Sequence, residues 1–188
     1  VRPRWFLSSI MLPDGSGTRI LRRICRQMDE AARKIGVAIV GGHSEVTPGL
    51  DHPLIVGFAA GVAGNRGYVS CSDARPGGRI ILTKGAGIEG TAILAADRGE
   101  RLGNAYGGNL VRKAKEFFEM TSVVEDAITS FETGSVQAMH DPTEGGIAGG
   151  LNEMANASGT GFRVFEESIH VERETKLICK HFKIDPLR

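Results

Sequence analysis

Apolar residues recur along the chain with two periods, and these mark out its elements. From Thr18 to Ile35 the apolar positions Ile20, Ile24, Met28, Ala31 and Ile35 step by four, four, three and four. That is one face of an amphipathic helix, and Gly36 is a natural stop for it. Short apolar runs at Trp5–Leu12, Val37–Val40 and Leu54–Ala63 predict strands. The first is followed by a Pro-Asp-Gly-Ser-Gly turn, and the second runs into a predicted loop, Gly41-Gly42-His43-Ser44-Glu45. Further on, strands are predicted at Arg79–Thr83, Val136–His140 and Phe162–Phe165. Helices are predicted at Glu89–Asp97, Leu110–Phe118, Val123–Glu132, Ile147–Ser158 and Thr175–His181, with a loop over Gly103–Gly108. In two of these helices a shared apolar face is visible: Val124, Ala127, Ile128 and Phe131, then Ile147, Leu151, Met154 and Ala155. Strand and helix alternate, so the fold class is α/β. Gly-rich turns around Gly64–Gly67 and Pro76–Gly78 place a domain boundary near residue 70, giving domains 1–70 and 71–188.

Composition narrows the function. The 188 residues include 23 Lys or Arg and 22 Asp or Glu, a formal net charge of +1. So balanced a charge gives no footprint of a nucleic-acid binder. At 41% hydrophobic residues the chain can bury a core, and no apolar run has the length of a membrane span. Cys25, Cys71 and Cys179 are scattered and odd in number, which reads as reduced thiols of a cytoplasmic protein. Glycine is the outlier: 26 residues, about twice the usual ~7%. Val1 is not an initiator Met and the chain stops abruptly after Asp185-Pro-Leu-Arg188, so a fragment is expected.

Three segments carry candidate chemistry. Gly85-Ala-Gly87-Ile-Glu-Gly90 fits GxGxxG, but no acidic residue follows at the distance a dinucleotide fold needs. What survives is a helix start with Lys84 beside it, suited to an anion. In Gly41-Gly42-His43-Ser44-Glu45 two glycines allow close approach to the main chain. A titratable base, a hydroxyl and a carboxylate follow, in either a ligand site or a polar strand exit. Asp141-Pro-Thr143-Glu-Gly145-Gly146 repeats that logic at a helix start, with Gly149-Gly150 just beyond. Asp141 or Thr143 is either a cap or part of a phosphate site, where an Asp is a usual Mg²⁺ ligand. The glycine pairs admit either a phosphate or tightly packed protein.

In their order, Gly41-Gly42-His43-Ser44-Glu45, Leu82-Thr83-Lys84-Gly85 and Asp141-Pro-Thr-Glu-Gly-Gly146 resemble the aminoimidazole ribonucleotide (AIR) synthetase superfamily, the PurM-like proteins. Among them the chain is most similar to HypE-like and AIR synthase-related members. Selenophosphate synthetase and thiamine-monophosphate kinase belong to the same superfamily. The resemblance implies a partial N-terminal domain that pairs with a second copy into a β-barrel homodimer, followed by an α/β C-terminal domain. It implies ATP and Mg²⁺ as cofactors. It also implies activation of an oxygen, on a small molecule or on a maturation partner's thiocarbamate, by phosphoryl transfer, as in HypE-like hydrogenase maturation. Selenophosphate synthetase-like or thiamine-monophosphate kinase-like chemistry, or a non-catalytic dimeric scaffold, are the alternatives. By this resemblance the nucleotide site draws on Gly41, Gly42, His43, Ser44, Lys84, Thr143, Gly145 and Gly146. Asp141 and Glu45 are the candidate metal ligands, and His43 and Asp141 the candidate catalytic residues. His43 stands where HypE and the thiamine kinase carry Asp, and Glu144 where many HypE proteins carry a basic residue. The superfamily's upstream Asp- and Gly-rich ATP segment is missing, so the chain by itself is expected to be inactive.

Overall fold

A computed structural model describes all 188 residues. They fold as two units, Val1–Tyr68 and Val69–Arg188.

The first unit is a three-stranded sheet with one helix. It contains β1 (Arg2–Leu12), α1 (Thr18–Lys34), β2 (Ala38–Val46) and β3 (Leu54–Val62). β1 lies in the centre, parallel to β2 and antiparallel to β3. Parallel neighbours need a crossover, and α1 supplies it. Ser8, Ile10 and Leu12 on β1 and Ala32 on α1 are buried. The alternate residues of β1 face the other way. There Leu7 is opposite Phe58, Ser9 opposite Val56 and Met11 opposite Leu54. This second face is open: Phe58 is 65% exposed and Val56 59%.

The predicted loop at Gly41–Glu45 is instead the middle of β2, paired residue by residue with Leu7–Met11 of β1. Adjacent glycines weaken a strand locally, but the ladder to β1 outweighs that. A register shift between Phe6 and Leu7 absorbs one extra residue of β2. At Gly42 the absent Cβ is a requirement, because it would lie 2.2 Å from the Ser8 carbonyl oxygen.

The second unit is helical. It contains α2 (Ile88–Asp97), α3 (Gly99–Tyr106), α4 (Gly108–Glu116), α5 (Val124–Glu132), α6 (Gly146–Ser158) and α7 (Arg173–Phe182). Ala95, Leu102, Val111, Ala114 and Ile178 form its main core, and Ile88, Ala92 and Phe117 a smaller cluster. Inside, the Thr91 hydroxyl donates to that of Thr175 at 2.9 Å. The predicted loop at Gly103–Gly108 is mostly helix. Burying Leu102 and Val111 outweighs the ~1 kcal/mol that glycine costs in a helix.

The strands expected at Arg79–Thr83, Val136–His140 and Phe162–Phe165 are not formed, since the one sheet is β2-β1-β3. An apolar run reports a chain suited to pairing, not a partner. Ile81 is accordingly 82% exposed. No helix is long and apolar enough to cross a membrane.

Candidate functional site

In the first unit the strand geometry divides the five residues of the Gly41–Glu45 segment. Side chains two apart share a face, so His43 and Glu45 stand together on the open apolar face of the sheet, where Gly41 also lies. His43 Nε2 is 3.3 Å from Glu45 Oε2, and the Thr47 hydroxyl donates to Glu45 Oε1 at 3.0 Å. Both oxygens of Glu45 are therefore engaged within the strand. To hold a metal it would have to release one of them. Ser44 is opposite Ile10, so it belongs to the other side of the sheet with Gly42.

In the second unit Lys84 has a left-handed backbone, φ 61°. Its Nζ lies 2.7 Å from Asp126 Oδ2 and donates to the Ser122 carbonyl. The Lys84 hydrogen bond holds the Asp126 carboxyl below its ordinary value, against the opposing effect of burial. The cation that the sequence offers to an anion is thus paired at the start of α5. Lys84→Met is expected to cost about 1 kcal/mol at pH 7. Because folding lowers the Asp126 pKa, the pair's contribution is present above the unfolded value of ~3.9 and is lost as pH falls through the folded one. Urea unfolding of parent and variant should therefore differ at pH 7, and the gap should narrow at a pH well below about 4. An equal gap at both pH values would show that the loss comes from packing alone.

The Asp141–Gly146 segment leads into α6. Asp141 is exposed, and no hydrogen bond or ion pair engages its carboxylate. Neither Asp141 nor Thr143 caps the helix, whose N-cap is Gly145 in a left-handed conformation. The close approach that the glycine pair permits is made by the chain itself. Leu187 accepts from the Ala148 amide at 3.1 Å. A Cβ on Gly146 would lie 2.5 Å from the Leu187 oxygen and 2.8 Å from the Arg188 nitrogen. The following pair has the same logic: a Cβ on Gly149 would meet the Glu144 oxygen at 3.0 Å, and one on Gly150 would meet Pro142 Cβ at 3.1 Å. Between the two candidates of a phosphate and packed protein, this structure has packed protein at all three glycines.

Sequence reasoning missed the brace behind Asp141. His140, the preceding residue, pairs through Nε2 with Glu153 of α6 at 2.8 Å. Its Nδ1 is buried without a partner. The pair ties the Asp141 loop to the helix. Its only sequence signal was a His directly before the Asp, with a carboxylate on the polar side of the next helix.

No group of three or more His, Cys, Asp or Glu forms a metal cage. A single carboxylate can still hold an ion that it shares with substrate phosphates and water. Asp141, with both oxygens uncommitted, suits that role.

Comparison with known proteins adds to this geometry. The model of the AIR synthase related protein N-terminal domain matches residues 1–63, and that of its C-terminal domain residues 75–188. The carbamoyl dehydratase HypE of Azotobacter vinelandii is 29% identical over 188 residues, 99% of this chain and 52% of that protein. Two crystal structures superpose on 99% of the chain, each with a TM-score of 0.76. The hydrogenase maturation protein HypE in complex with ATP does so at 28% identity over 53% of its length. The HypE–HypF complex does so at 25% identity over 59%. The chain spans about half the length of the curated relatives it matches.

Proposed function

Because the chain belongs to the AIR synthase related family through both of that family's domains, we propose that it is part of an ATP-dependent enzyme of HypE-like type. The reaction proposed is phosphoryl transfer from ATP to an oxygen of a small molecule or of a thiocarbamate carried by a maturation partner. The oxygen bonds to the γ-phosphorus, ADP departs, and the phosphorylated oxygen becomes a leaving group. The observation that carries this reading is the superposition of 99% of the chain on an ATP-bound HypE at a TM-score of 0.76. Mg²⁺ bound with the nucleotide would neutralise charge on the phosphate oxygens.

The chain's own residues then have distinct tasks. Asp141 supplies the free carboxylate for the ion, and Thr143 a hydroxyl in the same loop. His140 and Glu153 hold that loop in place. On the open sheet face we assign to His43, which lies 3.3 Å from Glu45, the task of holding or moving a proton. Gly41 leaves the main chain beside it accessible. Positioning and charge neutralisation, rather than covalent chemistry, are what such a site contributes. The exposed Trp5, Leu7, Val56 and Phe58 of the same face are where a second copy would pair.

A second reading, a dimeric scaffold without nucleotide chemistry, is favoured by the engagement of Glu45 within its strand and of Gly146 by Leu187. Titration calorimetry with Mg-ATP separates the two. The enzyme reading expects binding that Asp141→Asn weakens by about tenfold or more, with no change in thermal stability. The titration is made on the full-length protein, where no heat, together with a dimer by sedimentation velocity, would select the scaffold.

A further inference from the structure

The near-zero net charge hides a division. Residues 1–68 carry nine Lys or Arg against five Asp or Glu, and residues 69–188 fourteen against seventeen. The excess in the first unit is concentrated on α1, where Arg19, Arg22, Arg23 and Arg26 occur before any acidic residue of the helix. At 100° per residue the four share one face, opposite Ile24 and Met28, within about 10 Å of helix axis. None of them has a hydrogen-bond or ion-pair partner, whereas Arg33 further along is paired with Asp29 at 2.9 Å. Together with Thr18 they line a notch of about 490 Å³.

This arrangement works against the isolated helix. Arg19 and Arg23, and Arg22 and Arg26, are like charges four residues apart, which repel. The first turn has no acidic residue and its N-cap Gly17 makes no side-chain hydrogen bond, so the guanidinium groups add to the positive end of the helix dipole. An anionic partner relieves both repulsions.

We propose that the Arg19–Arg26 face of α1 is a docking surface for an acidic helical segment of a partner protein. The preference for arginine over lysine favours forked, two-bond recognition of carboxylates. Asp or Glu at i, i+3, i+4 and i+7 of a partner helix reproduce the span and spacing of the four arginines. Nucleic acid is a poorer fit, because α1 has no aromatic side chain on which a base can stack. A membrane surface is poorer still, because the helix's apolar stripe faces away from the arginines and so could not enter the interface with them.

The test is fluorescence anisotropy with a labelled Ala/Glu helical peptide bearing Glu at those four positions, compared with a permuted peptide whose glutamates are spread around the helix. The chain should bind the first peptide at least about fivefold more tightly than the second, with affinity falling as salt rises. The variant R19Q/R22Q/R23Q/R26Q should lose about tenfold or more in affinity. It should melt no lower than the parent, since the repulsion is gone. The corresponding four-lysine variant keeps the charge and should still lose affinity severalfold. If the quadruple variants fail to fold, Arg23→Gln alone should lose a measurable part of the binding. Equal binding of both peptides, undiminished binding by the Gln variants, or tighter binding of a single-stranded oligoribonucleotide of equal charge would each overturn the proposal.

Discussion

Gly42→Ala is expected to unfold the first unit or come close to it, while Gly41→Ala, one residue away, leaves its stability nearly unchanged. The new Cβ at position 42 would lie 2.2 Å from the Ser8 oxygen and 3.2 Å from the Ser8 carbonyl carbon and nitrogen. These are backbone atoms of the central strand, so nothing flexible can move aside. Ser8 and Gly42 are paired partners in the β1–β2 ladder. Separating them breaks the parallel bonds on either side, in a unit with few buried side chains to compensate. A loss of about 3–5 kcal/mol is expected, the range reached when a clash also breaks a ladder. At Gly41 a Cβ meets only Leu7 Cδ2, at an ordinary 3.7 Å. Alanine also loses less backbone entropy on folding than glycine, so the change there should stay within about 0.5–1 kcal/mol of zero and on the stabilising side. Urea unfolding followed by far-UV circular dichroism reads both. Equal, small effects at the two positions would remove the packing explanation for Gly42. Because Gly41 shares the open face with His43 and Glu45, a Gly41→Ala variant that is stable yet loses Mg-ATP binding would locate the nucleotide on that face.

The contrast between these neighbours shows what the sequence could convey. α1 was legible because its signal is contiguous: five apolar residues at helical spacing, then Gly36. β2 was cut short at Val40 because Gly-Gly punctuates a chain locally, whereas its true length is set by β1, an element on the far side of α1. The candidate site was legible as a set of residues but not as an arrangement. His43, Ser44 and Glu45 read as one cluster, and the period of two in a strand sends Ser44 to the opposite face. Lys84 read as a free cation because its partner Asp126 lies on α5, beyond three intervening helices. Family resemblance supplied what periodicity lacked, since it rests on the order of motifs and not on what each one touches. Glycine pairs carried the least specific message. Gly42, Gly146 and Gly150 share a sequence signal, yet they face a neighbouring strand, the Leu187–Arg188 backbone and Pro142 respectively.

Gly146→Ala should lower the melting temperature by roughly 10 °C, and comparison with Gly159→Ala isolates the reason. Both glycines have left-handed φ, +58° and +66°, at opposite ends of α6. An alanine in that conformation costs about 1–2 kcal/mol at either site. Position 159 has nothing within 4 Å of the added Cβ, so the conformational cost is the whole effect there. Position 146 adds a contact of 2.5 Å with the Leu187 oxygen and 2.7 Å with its carbon, atoms held by the hydrogen bond from Ala148. Relieving it means moving the Leu187–Arg188 segment or the first turn of α6, for a further 1–3 kcal/mol or so. The difference between the two variants therefore measures the grip of Leu187–Arg188 on the helix start. It also bears on function. If the gap is present and Mg-ATP binding persists in the folded fraction, Gly146 serves packing, and the loop's contacts to the nucleotide fall to the Thr143 hydroxyl and to an ion held by Asp141. If the two variants melt alike while only Gly146→Ala loses the nucleotide, Leu187–Arg188 yields its place to phosphate, and the packed start of α6 is the resting form of the site.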